Sequence, residues 1–204
     1  MNNRLGFFDV DCLELNADGI GLDFRPRVAP ILSAVKTLHD LAEKSGSPLV
    51  FTTCCSGRML GDEELPDILK VPLDVADAEW RTRVKGYRIF YLQKKSYGDP
   101  KKNYTCRAYD MFQDNGNAVL LFEMLGEREW VVFGNGFDLC VDSAANGLLK
   151  AGYRVRILTD VKIRSAKGYD DSGTDERYRR MLDDLGAMGA KLSSLDEFIE
   201  SESA

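Results

Sequence analysis

The stretch "VVFGNGFDLCVDSAANGLLKAGYRVRILTD" (residues 131–160) decides how this chain is read. Val131, Val132 and Phe133 make a short apolar run of the kind found in buried strands, and Gly134, Asn135 and Gly136 break it. The segment "SAANGLLKAG" has helical spacing and stops at Gly152, and "YRVRILTD" then predicts a strand ending in Asp160. Strand, glycine turn, helix and strand form one βαβ unit, and such units come with parallel sheets covered on both faces. Asp138 reads as the N-cap of the helix, which puts Cys140 in its first turn, beside the positive end of the helix dipole.

The same alternation extends in both directions. Upstream, "LGFFDV" (5–10) is a first strand, and a polar glycine-containing loop leads to a helix over 27–46. That helix has Val28, Ile31, Leu32, Val35, Leu38 and Leu41 on its apolar stripe. "PLVFTT" (48–53) and "GYRIFYLQ" (86–93) are further strands, separated by a long stretch read as irregular. "NAVLLFEMLG" (117–126) is a helix, "EWVVFG" (129–134) the fourth strand and "YRVRILTD" the fifth. Downstream come a helix over 173–189, a short sixth strand "AKLSS" (190–194) and a final helix beginning "LDEF". The expected fold is a three-layer α/β, Rossmann-like domain spanning residues 1–204, with a parallel sheet of about six strands.

Composition excludes several function classes. The chain has 204 residues and a net charge of -6, with acids and bases interspersed, so no basic face marks a nucleic-acid partner. No apolar run reaches the roughly 18 residues of a membrane span, and the N-terminal "MNNRLGFFDVD" lacks a signal-peptide pattern. A soluble, cytoplasmic protein acting on a small molecule is the expectation. Five cysteines (Cys12, Cys54, Cys55, Cys106 and Cys140) at irregular spacing make neither a disulfide framework nor a zinc ribbon. The single histidine, His39, sits in the first helix and is read as structural or surface, since one histidine makes neither a metal site nor a Ser-His-Asp triad.

In a parallel sheet the ligand site lies at the carboxyl ends of the strands. The chemistry-bearing residues there are Asp9 and Asp11, residues 52–56, 93–95 and 134–140, and the Thr159-Asp160 pair. A thiol near a helix N-terminus is the more acidic kind of thiol. Glycines before it let backbone N–H groups approach a carbonyl oxygen, as an oxyanion hole requires. A carboxylate beside the thiol can take its proton and return it to a leaving amine, and a lysine can stabilise both anions.

These segments together resemble the isochorismatase-like cysteine hydrolases, which include nicotinamidases and N-carbamoylsarcosine amidases. Residues 131–160 are similar to that family's strand, G-V-A-T-D-x-C-V, helix, G-Y-x-V and T-D-A pattern. "FFDVD" resembles the F-W-D-V-D-T-Q opening of one branch, "FYLQKKSY" its E/Q-K-x-x-Y and "AYDMFQDN" its Y-D-V-F-x-N. The resemblance covers nearly the whole chain in order. It implies an Asp-Lys-Cys triad of Asp11, Lys94 and Cys140, with Asp9 as the alternative carboxylate and Lys95 as the alternative lysine. It also implies a cis peptide at Asn135–Gly136, an oxyanion hole from the N–H groups of Gly136 and Cys140, no cofactor, and a homo-oligomer. The sequence departs from the pattern at Gly136-Phe137, where the family usually has Ala-Thr, and at Leu13, where it has Gln. No histidine follows the second strand, so the D-x-H zinc cluster of some nicotinamidases is absent and no metal is expected. "GDPKKNYTCRA" (98–108) reads as an insertion.

Two rival readings stay open at this point. Asp9 and Asp11 with Thr52 or Thr53 and a lysine also resemble a haloacid dehalogenase-like Mg²⁺-dependent phosphatase, although Asn135 stands where that family has an Asp. In the other, Cys140 is core packing and the chain is an inactive family member acting as a binding module.

Overall fold

The computed structural model describes residues 5–12, 25–52, 68–71, 78–92, 111–135, 137–163 and 171–203. In chain order its elements are β1 (Leu5–Val10), α1 (Arg25–Ser45), β2 (Leu49–Thr52), β3 (Ile68–Val71), α2 (Ala78–Val84), β4 (Ile89–Leu92), α3 (Met111–Asp114), α4 (Ala118–Leu125) and β5 (Glu129–Asn135). A π-helical turn (Phe137–Val141) follows, then α5 (Asp142–Lys150), β6 (Arg154–Ile163), α6 (Asp171–Ala187), β7 (Lys191–Ser193) and α7 (Leu195–Ser203). The strands form one sheet in the order β3-β4-β2-β1-β5-β6-β7, and every neighbouring pair is parallel.

Among the described residues the sheet has seven strands, one beyond the expected number of about six. The additional strand is β3, and together with α2 it occupies the stretch read as irregular. Pro66 and Pro72 bracket its four residues. Proline cannot donate to a ladder and so argues against a strand, except at a sheet edge, which is where β3 lies.

Two apolar layers cover the sheet. On one face Phe8, Val10, Val50, Phe90, Trp130 and Val132 pack with residues of α2 to α6. On the other, Phe7, Phe51, Val131 and Phe133 pack with Val35, Leu38 and Ala42 of α1 and Phe198 of α7. The alternation of Phe7, Phe8 and Val10 between these clusters follows the two-residue period of a strand. β1 is therefore buried on both faces, as a central parallel strand requires, and its near-continuous apolar sequence reflects that.

From β1 the chain builds outward in both directions, through β2, β4 and β3 on one side and through β5, β6 and β7 on the other. The β1/β5 pair is therefore the topological switch point, with α1 leaving toward one face and α5 toward the other. The two strands approach closely at their carboxyl ends, where Val10 pairs with Gly134. Gly134 has a φ of 138°, and a Cβ there would lie 2.0 Å from the carbonyl oxygen of Val10. Only glycine fits that conformation and that space. Among the described residues no helix is long and apolar enough to cross a membrane.

Candidate functional site

Asp9 and Asp11 are both fully buried at the end of β1, yet they are held differently. Asp9 is within the strand, paired on one side with Phe51 and on the other with Phe133. Its Oδ2 lies 2.7 Å from His39 Nε2 in α1, and its Oδ1 accepts the backbone N–H of Cys12 at 3.2 Å. Both oxygens are thus engaged on, or just beyond, the α1 side of the sheet.

Asp11 follows the strand with a φ of 60°, the one left-handed non-glycine residue among those described. An extended continuation would have placed its side chain on the same face as Asp9, because strand side chains alternate with period two. Instead Asp11 Oδ1 accepts the hydroxyl of Thr52 at 2.8 Å. Thr52 ends β2 two residues after Val50 and so shares the face of Val50, Val132 and Cys140. The Asp11 backbone is pinned as well, its N–H donating to the Thr52 carbonyl at 3.1 Å. The left-handed turn thereby carries this carboxylate toward the side of the sheet on which Cys140 lies.

Cys140 is a buried thiol, 3 % exposed, in the cluster that includes Val10, Val132 and Ala144. The sequence predicts it in the first turn of a regular helix capped by Asp138. The structure places it instead in the π-helical turn, with α5 beginning only at Asp142. The residue at the start of α5, Val141, makes no side-chain cap bond. Such turns occur often at functional sites; the side chain of Asp138, the expected N-cap, lies outside the described residues. Gly134 and Asn135, read from the sequence as part of the glycine turn, belong to β5.

Lys94 and Lys95, two and three positions beyond the end of β4, lie outside the described residues, as does Gly136 and with it the Asn135–Gly136 peptide. Residues 53–67 and the 98–108 segment are outside them too. The other strand-end candidates have structural duties. β6 runs on past Asp160 to Ile163, with a register shift against β5, and the Asp160 carboxylate accepts the N–H of Leu195 at 2.9 Å, at the start of α7. Thr159 donates to the Ser193 carbonyl, and its own carbonyl accepts the hydroxyl of Tyr178.

The pairing of His39 with Asp9 was not legible from a lone histidine. A signal was present nonetheless: His39 stands four residues after Val35 and three before Ala42, both buried, so the helix turns it toward the sheet. Phe112 is a second case. It stacks on Phe122, with ring centroids 5.5 Å apart, and occupies the space over Gly147 of α5, where a Cβ would meet its ring at 2.1 Å. Phe112 thereby braces the helix that follows the cysteine.

The all-parallel sheet, its three layers and its switch point define the fold shared by the isochorismatase-family hydrolases. Solved structures similar to the chain include an isochorismatase from Pseudomonas putida KT2440, at 12% identity over 96% of this chain and 90% of that one, with a TM-score of 0.59. Pyrazinamidase of Pyrococcus horikoshii, solved in complex with zinc, matches at 16% identity over 94% and 99%, also with a TM-score of 0.59. The YcaC gene product of Escherichia coli, described as an octameric hydrolase of unknown specificity, matches at 18% identity over 94% and 76%, with a TM-score of 0.56. No family model and no curated protein sequence matches the chain. At these identities the likeness is one of architecture, and the chemistry must be argued from the site.

Proposed function

We propose that the protein is a cysteine hydrolase that cleaves a small amide, or a related C–N bond, through a covalent thioester. Cys140 is the nucleophile, Asp11 the general base and acid, and Lys94 the cation that steadies both. The observation that carries this reading is the exit of Asp11 and Cys140 from β1 and β5, the two strands flanking the switch point, with the Asp11 turn directed to the cysteine's face of the sheet. The hydrolases among the structural neighbours, a pyrazinamidase included, support the reaction class.

In the proposed cycle Asp11 takes the thiol proton and the Cys140 sulfur attacks the substrate carbonyl carbon. The oxygen, now negative, is held by the backbone N–H groups of Gly136 and Cys140 beyond Asn135. The C–N bond breaks as Asp11 returns the proton to the departing nitrogen, leaving an acyl thioester on Cys140. A water molecule then attacks the thioester, giving a proton to Asp11, and the thiol leaves with that proton restored. No step calls for a metal or cofactor. The segment after β2 has no histidine to complete a D-x-H zinc cluster.

Both oxygens of Asp9 are engaged, one by His39 and one by the Cys12 N–H, which speaks against Asp9 as the nucleophile of a phosphatase. The cytoplasmic setting and the absence of a nucleic-acid or membrane partner belong to the same proposal. So does a homo-oligomer, for which the octameric E. coli neighbour is the support. The decisive experiment is a screen of amides, ureas and carbamoyl compounds, with Cys140→Ala as control. Turnover lost in Cys140→Ala, with an acyl adduct on the Cys140 peptide of the wild type, is the expected result. Full turnover in Cys140→Ala overturns the proposal.

A further inference from the structure

The mechanism leaves the Asp9–His39 pair unused. Asp9 is fully buried in the central strand between Phe51 and Phe133, where an apolar residue would be the ordinary occupant. Its partner His39 lies over all three. The imidazole is 5.1 Å from the Phe51 ring at an interplanar angle of 87° and 6.4 Å from the Phe133 ring at 50°. About a quarter of the His39 side chain remains exposed. A buried carboxylate is costly unless its oxygens are bonded, and here His39 bonds one of them.

The second oxygen shows what the arrangement accomplishes. Asp9 Oδ1 accepts the N–H of Cys12, the residue that follows Asp11. Asp11 itself is left-handed, a conformation that costs a non-glycine residue about 1–3 kcal/mol and persists only where its surroundings enforce it. Thr52 pins the Asp11 N–H from one side and Asp9 pins the next N–H from the other. With both amides fixed, the turn keeps the Asp11 carboxylate at Thr52 and off the face where strand alternation would put it.

We propose that His39 and Asp9 are positioning residues: the pair locks the left-handed Asp11 turn and so keeps the base aimed toward the cysteine's face of the sheet. This rests on the assignment of Asp11 as the base of Cys140. His39 orients the Asp9 carboxylate from the far side of the sheet, and neither residue contacts the reacting atoms.

The probe is iodoacetamide, which needs no knowledge of the substrate. The rate of carboxamidomethylation at Cys140, followed on the Cys140 peptide by mass spectrometry, reports how well the thiol is activated. Asp11→Asn is expected to slow this reaction by about tenfold or more. His39→Ala should slow it by several fold, and His39→Gln, whose amide nitrogen reaches the place of Nε2, should restore most of the rate. In an Asp11→Asn background, His39→Ala should add no further loss, because a positioning residue has nothing left to position. Wild-type reactivity in His39→Ala overturns the inference, and so does a loss of equal factor in both backgrounds, which would mark general loosening. If Asp11→Asn alone leaves the rate unchanged, the base assignment falls and the positioning role falls with it. Should His39→Ala prove unstable, His39→Leu, which fills the place of the imidazole without a donor, takes its place in both backgrounds, with the same outcomes expected and overturning.

Discussion

Asp9 and Asp11 stand two residues apart, are equally buried, and differ in almost every other respect. Asp9 keeps the extended conformation of β1, looks toward α1 and is engaged by a histidine. Asp11 leaves the strand with a positive φ and is engaged by Thr52. A strand of period two treats the two positions alike, so the separation is produced by one backbone dihedral and the bonds that enforce it. In the proposed reading the carboxylate inside the ladder serves the scaffold, and the one just past its end serves the chemistry. Val10 between them is the pivot, and its tight approach to Gly134 fixes it in place.

The largest effect should come from breaking that pivot. Gly134→Ala puts a Cβ 2.0 Å from the Val10 carbonyl oxygen and 2.8 Å from its carbon, at a φ that side chains rarely adopt. Both contacts are backbone, so no side chain can give way. A loss of more than about 3 kcal/mol is expected. For a chain of this size that lowers Tm by roughly 6–12 °C or more in a thermal melt. A near-native Tm would show that β1 and β5 can part at their ends without cost and would remove the pivot from the account.

Next in size is the split between the two carboxylates themselves. Asp11→Asn keeps an oxygen for the Thr52 hydroxyl, so its Tm should stay within a few degrees of wild type while turnover falls by about 10²–10⁴-fold. Asp9→Ala removes the acceptor of the Cys12 N–H and leaves His39 without its carboxylate, at a cost of about 2–4 kcal/mol, or roughly 4–16 °C in Tm. Paired melts and initial rates on the two variants measure the contrast. The reverse pattern, with Asp11 governing stability and Asp9 governing turnover beyond its effect on folding, would invert the assignment of roles.

What the sequence conveys about this molecule follows the same division between regular and irregular backbone. β1, α1, β5 and α5 were legible because burial imposes a period on them, and the parallel order followed from their alternation. β3 was hidden by its flanking prolines, which are compatible with a strand only at an edge that the sequence does not reveal. The π turn at Cys140 is a change of hydrogen-bond pattern without a compositional mark, so a first α turn was read in its place. The choice between Asp9 and Asp11 stayed open for the reason already given: it depends on a left-handed aspartate, and the residues that enforce that conformation come from β2 and α1. The isolated histidine was set aside because sites are usually sought as clusters, although its place beside the Val35 and Leu38 stripe pointed at the sheet.

A third carboxylate, exposed and far from β1, gives the reference against which the buried pair can be measured. Glu197 forms a capping box at the start of α7: its Oε2 accepts the Ser194 N–H at 2.8 Å, and the Ser194 hydroxyl accepts the Glu197 N–H at 3.2 Å. The bond from the Ser194 backbone, and then that from its side chain, hold the Glu197 carboxyl below its ordinary value of 4.5. A depressed folded-state pKa stabilises above the unfolded value, and that contribution is lost as pH falls through the folded one. Glu197→Gln keeps the hydrogen-bonding shape of the box but cannot ionise. Wild type should therefore melt slightly above Glu197→Gln at pH 7, and the gap should close as the pH drops below about 4.5. Because the group is fully exposed, the difference should also shrink in high salt. A gap that persists unchanged at pH 3 would mean that the cap acts through shape alone.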